Sequence, residues 1–127
     1  MLTDQVRFFT IMGIFGAGGV LTRTLLIALI APRSPNFPFG TLAVNLIGSL
    51  LIGMVYALHW ERPLVSDELA KFIMIGFLGG FTTFSAVSLE GFNLIQNDRI
   101  FSALAYLIGS PLAGLLCAYF GYLMVKR

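Results

Sequence analysis

Charge is scarce in this sequence of 127 residues: eight Lys and Arg, six Asp and Glu, 11% in all, against about 25% in an ordinary soluble domain. The few cations are scattered, so the sequence pI of about 9.0 reflects loop charges and excludes a phosphate-binding face and nucleic acid as a partner. There is one histidine, His59, and no second His or carboxylate stands at metal-ligand spacing from it. Beside Trp60, it reads as an interfacial residue. There is one cysteine, Cys117, so no intrachain disulfide can form, and in an apolar run it reads as a small packing residue. Nucleophile–base pairs, phosphate-binding glycine loops, linkers, low-complexity tracts and clear repeats are all missing. An enzyme is thereby excluded.

What is present is apolar. Hydrophobic residues make up 57% of the chain and mean hydropathy is +0.90. A soluble domain of this size exposes too much surface for that composition. An integral membrane protein with almost no extramembrane part remains. About 20 mostly apolar residues cross a bilayer as a helix, and four such stretches fit, near residues 6–30, 40–60, 69–96 and 100–125. No small-residue cleavage site follows a short apolar region, so the first reads as a membrane helix and not a signal peptide. Pro32, Pro35 and Pro38 end it, His59-Trp60-Glu61-Arg62-Pro63 ends the second, and Gln96-Asn97-Asp98-Arg99 separates the third from the fourth. The expected fold is an all-α bundle of four transmembrane helices in a single domain, residues 1–127. Both termini then share a side with Arg7, Arg62, Lys71, Lys126 and Arg127, facing Arg33 and Arg99 across the membrane, with Arg23 near them. The positive-inside rule puts the termini in the cytoplasm, on a bias weak enough to allow insertion both ways.

Polar residues inside the spans are the candidate functional ones. Arg23 and Glu90 would each cost about 2.5–3.5 kcal/mol at a bilayer centre, so each must face protein, water or a headgroup. Arg23 shares a helix face with Gly16 and Gly19, which permit close approach of another helix; it either snorkels, braces the bundle or attracts anions. Asn45 lies on a stripe with Gly48, Ser49, Ile52 and Tyr56. Its amide either bonds another helix or offers donors to a desolvated anion. Tyr106, Gly109, Ser110, Ala113 and Cys117 recur at spacings of three and four around Pro111. They form either a hydroxyl ladder or a small-residue packing face whose hydroxyls bond the preceding turn. The third stretch has 28 residues and would span about 42 Å as one helix, against a hydrocarbon core of about 30 Å. With Gly79, Gly80, Thr82, Thr83, Ser85 and Ser88 concentrated in and after its middle, this stretch is either a broken helix whose freed carbonyls face protein, water or an ion, or a tilted, kinked helix whose glycines serve packing.

Gly40-Thr41-Leu42-Ala43-Val44-Asn45-Leu46-Ile47-Gly48 and Gly79-Gly80-Phe81-Thr82-Thr83-Phe84-Ser85, with Arg23 after its glycines and Tyr106-x-x-x-Ser110, resemble the small prokaryotic fluoride channels called Fluc or CrcB. The resemblance spans essentially the whole chain. It implies a fluoride-selective channel of the prokaryotic inner membrane that exports cytoplasmic fluoride passively and so confers fluoride resistance. Two copies would be inserted antiparallel as a dual-topology homodimer, with two fluoride pathways along their interface. It implies a pathway lined by Asn45, Phe84, Ser85, Tyr106, Ser110 and Arg23, with Ser88, Glu90 and Val87 beside it. It also implies a central structural sodium ion held by backbone carbonyls of Gly79 and Thr82. Oxygen ligands suit a hard cation. The family's third-helix pattern continues F-S-T-F-S, and this chain has Phe84-Ser85-Ala86-Val87-Ser88. A phenylalanine and a hydroxyl are therefore replaced, which leaves open one half of a heterodimer, with a partner supplying the missing ring. A proton-coupled small multidrug exporter would need a carboxylate deep in the first helix, where only Arg23 stands. A non-transporting membrane assembly subunit is a further alternative.

Overall fold

The computed structural model describes residues 1–30 and 36–127. Among them lie four helical spans long and apolar enough to cross a membrane. Helix α1 is Leu2–Ile30 and α2 is Phe39–Trp60. The third span, Asp67–Gln96, is built from pieces: α3 (Asp67–Lys71), a π-helix (Phe72–Phe77), α4 (Leu78–Phe81) and α5 (Phe84–Gln96). Helix α6, Ile100–Lys126, closes the chain. The all-α membrane fold follows the four long apolar stretches of the sequence, and among the described residues there is no strand.

Local chemistry places the ends. The first helix begins at Leu2 rather than near residue 6, and the third span begins at Asp67 because the Ser66 hydroxyl accepts the Leu69 N–H at 3.3 Å. Asn97-Asp98-Arg99 makes the expected turn, with Asp98 in the left-handed region at φ 58° and the Arg99 N–H bonded to the Leu94 carbonyl. Pro32 and Pro35, expected to end α1, fall outside the described residues.

Small residues decide how the helices meet. Gly16 and Gly19 do share the face of α1 that carries Arg23, and this face lies against the π-helix and α4. A Cβ on Gly19 would overlap the Phe77 carbonyl, and one on Gly80 would overlap the Gly16 carbonyl. Helix α2 packs on α6, where Gly53 abuts the Ala118 carbonyl, Gly121 the Leu50 carbonyl and Gly114 the Ser49 side chain. The α6 packing face thus includes Gly114, Ala118 and Gly121. Of the stripe Tyr106, Gly109, Ser110, Ala113 and Cys117 singled out by spacing, Tyr106 and Ser110 are buried and Ala113 and Cys117 half-buried, while nothing lies within 4 Å of a Cβ placed on Gly109. Polar contacts close the two ends. Arg99 donates to the Asn36 carbonyl at one, and at the other Tyr122 donates to Glu61 at 2.6 Å while Lys126 sits over the Tyr122 ring.

These contacts make a prediction about packing. Gly53→Val forces a methyl-bearing carbon into backbone and should lower stability by about 1–3 kcal/mol, the usual cost of overpacking. Gly109→Ala should leave it unchanged. Thermal unfolding in detergent separates the two; equal melting temperatures would contradict the packing described.

Candidate functional site: the broken third span and its two grooves

The third span breaks at Thr82 and Thr83, both extended (ψ 158° and 118°). In a helix the Thr83 N–H would close on the Gly79 carbonyl and the Ala86 N–H on that of Thr82. Instead, Thr83 N–H bonds Asn45 Oδ1 at 2.9 Å, and Ala86 N–H bonds Thr83 Oγ1 at 3.2 Å, an N-cap that starts α5. The Gly79 and Thr82 carbonyls are thereby released from their helical partners. Asn45 Nδ2 donates back to the Thr83 carbonyl at 3.2 Å. One amide on α2 thus pairs with both polar groups of one peptide residue, as a neighbouring strand would. Thr82 Oγ1 returns to the Leu78 carbonyl at 2.9 Å. Arg23, half-buried, reaches from α1 to within 3.4 Å of the Thr82 carbonyl. This contact agrees with a brace inside the bundle, one of the roles open to Arg23 in the sequence.

One groove, of about 460 Å³, runs beside this break. Asn45, Ser49, Gly79, Thr82, Thr83 and Ser110 give it polar edges, and Phe84 and Val87 line it too. Phe84 is 80% exposed, so the chain offers its ring outward and encloses it with nothing of its own. Ser85 and Ser88 are also on the exposed side of α5; the Ser85 hydroxyl is 3.2 Å from that of Thr83, and Ser88 bonds the Phe84 carbonyl. Val87, at the groove's wall, is instead buried. It is 5% exposed and packs with Leu94, Ala103 and Tyr106, flanked by Phe37, Leu42 and Leu107.

A second groove, of about 600 Å³, opens where the α1–α2 connection meets the end of α5. Asn36, Phe37, Asn93, Asn97 and Arg99 line its walls and Thr41 and Glu90 its floor. Glu90 is paired: it accepts from Thr41 Oγ1 and from the Tyr106 hydroxyl, each at 2.6 Å. Tyr106 is 1% exposed and meets the groove's lining through Glu90 and, edge-on, through the Phe37 ring. The hydroxyl ladder does not form, because Ser110 Oγ donates to the Tyr106 carbonyl at 2.5 Å while the Tyr106 hydroxyl turns to Glu90. Thr41 and Thr83 are the residues that sequence reasoning missed. Thr41 stands one turn before Asn45 on the same face, and Thr83 is a hydroxyl residue just before a helix, so both signals were present.

The Gly79 and Thr82 carbonyls fit a hard cation by donor type. Against this, Arg23 already brings positive charge to the Thr82 oxygen. Among the described residues no cluster of three or more His, Cys, Asp or Glu side chains offers a metal site.

With this geometry in view, the chain's relatives can be compared. Residues 10–122 match the family described as CrcB-like protein, Camphor Resistance (CrcB). A protein of Chlorobium phaeobacteroides (strain BS1) is 46% identical over 114 residues, covering 87% of this chain and 89% of the relative. One of Stutzerimonas stutzeri (strain A1501) is 42% identical over 112 residues, covering 87% and 90%. One of Synechococcus sp. (strain JA-2-3B'a(2-13)) is 36% identical over 127 residues, covering 99% and 98%. Each carries the name Fluoride-specific ion channel FluC. The chain belongs to the CrcB family. It is a multi-pass protein of the prokaryotic plasma membrane.

The Asn45 clamp can be tested directly. Asn45→Ala strands the N–H and C=O of Thr83 in a dry environment. At about 0.6 kcal/mol per interhelical bond on average, and about 1.7 at most, the loss should reach roughly 1–3 kcal/mol. Asn45→Asp sets a carboxylate oxygen against the Thr83 carbonyl inside the span, so it should lose at least as much. Melting in detergent reads the order, and an unchanged Asn45→Ala protein would refute the clamp.

Proposed function

We propose that this chain is a fluoride channel that lets cytoplasmic fluoride leave passively, formed by two copies inserted in opposite orientations. The observation that carries the reading is the groove beside the break. It has polar groups at mid-span and a phenylalanine 80% exposed at its edge, on a chain whose relatives are named fluoride-specific ion channels. A groove open on one copy needs a second copy to become a closed route. Two copies would give two such routes, and one chain with weak charge bias can supply both orientations.

Fluoride gives up strong hydration on entry and needs replacement donors. Some hydroxyls are already committed, Ser110 to the Tyr106 carbonyl and Thr41 to Glu90. The donors left are the second N–H of Asn45, the remaining N–H groups of Arg23 and the Ser85 hydroxyl, together with the electropositive ring edge of Phe84. Glu90, whose oxygens are occupied by Thr41 and Tyr106, is held back from a passing anion. Ser110 and Tyr106 then act on the route by fixing the wall and Glu90.

A structural sodium ion would sit on the Gly79 and Thr82 carbonyls, the first released from its helical partner and the second shared with Arg23. Val87 is packed within its own chain, so we favour a homodimer over pairing with a second, phenylalanine-bearing chain.

Liposomes containing the purified protein should release fluoride and retain chloride; release no faster than from protein-free vesicles, with the protein folded, would overturn the reading. If the ring edge contributes about 1.4 kcal/mol to passage, Phe84→Leu should slow release about tenfold. Val87→Phe has to enter a filled core and should cost about 1–3 kcal/mol of stability without raising the rate. Faster release by Val87→Phe would instead favour the heterodimer.

A further inference from the structure

His59 is the chain's one histidine, and it lies away from both grooves, at the end of α2. Its side chain is only 12% exposed. Nδ1 is 2.9 Å from the Val65 carbonyl, and Nε2 is 3.0 Å from Oδ1 of Asp67, the first residue of α3. A carbonyl oxygen and a carboxylate oxygen both only accept. A neutral imidazole donates from one nitrogen and carries a lone pair on the other, so it can satisfy one of these oxygens and must repel its neighbour. Only the doubly protonated ring serves both.

We infer that His59 is a protonation-dependent clamp that ties the end of α2 to the start of the third span across the turn at residues 61–66. The ring holds Val65 and Asp67 together when both nitrogens carry protons. As pH rises and one proton leaves, one bond becomes a repulsion and the clamp loosens. Its contribution to stability is therefore present while both ring nitrogens carry protons and is lost when one of them does not.

The charged groups nearby are otherwise occupied or turned away. From the turn, Glu61 accepts from Tyr122, and Arg62 reaches the Lys126 carbonyl at 3.5 Å. From α6, Lys126 lies over the Tyr122 ring. On α3, Glu68 and Lys71 are exposed and make no bond to the ring. What the clamp holds is the entry to α3, which continues through the π-helix to the break. It therefore fixes the axial position of the segment that presents Thr82 and Thr83, whichever ion the protein passes.

A lone histidine makes the test clean. The melting temperature of the full chain in detergent should fall by roughly 3–6 °C as the buffer is taken from about pH 5.5 to about pH 8. Asp67→Asn should abolish that slope while the protein stays folded, because an asparagine amide can donate to a neutral ring that donates to Val65. His59→Gln should also be flat. A wild-type protein with no slope would overturn the clamp, and so would an Asp67→Asn protein with the wild-type slope, which would assign the titration to another group such as the Met1 amine beside Asp4.

Discussion

A backbone polar group inside a bilayer must find its partner within the protein, and at Thr82–Thr83 the third span stops supplying one. The rest of the structure answers to that gap. Asn45 is placed on α2 so that its amide meets both groups of Thr83, and Thr83 turns its own hydroxyl to restart the helix. The glycines of α1 let that helix approach α4 closely, as Arg23 on the same face reaches the Thr82 carbonyl. Close approach and the break are thus coupled, because a Cβ at Gly19 would push α1 away from the third span.

The same economy governs the buried polar side chains. Among the described residues no buried side-chain nitrogen or oxygen lacks a hydrogen-bond partner. Glu90 is the costly group, and two hydroxyls from two different helices meet it. These commitments leave Asn45 and Phe84 on the groove beside the break and turn the Tyr106 hydroxyl to Glu90.

Much of this was legible in the sequence. Excess length together with mid-span glycines and hydroxyls located the break, and Gly16, Gly19 and Arg23 were read correctly as one packed face. Three features were not legible. The packing face of α6 runs from Tyr106 and Ser110 through Gly114, Ala118 and Gly121 and leaves Gly109 aside, because the rotation of a helix that is apolar all round is set by its neighbours and not by its own pattern. Val87 reads as a missing ring in the motif, yet it fills a core position packed by Phe37, Leu42 and Leu107. His59 reads as an interfacial residue, yet it meets two acceptors across a turn.

By itself the sequence determined the solvent, the number of spans and the place where one of them breaks. These follow from transfer free energies and backbone preferences, which are properties of each residue and its near neighbours. Only the tertiary structure decided which side chain completes the break, which oxygens Glu90 accepts through, and which way Phe84 and Val87 face. Those outcomes depend on the relative rotation and axial position of helices far apart in sequence. The π-helix at Phe72–Phe77 alters that register without leaving a periodic signal.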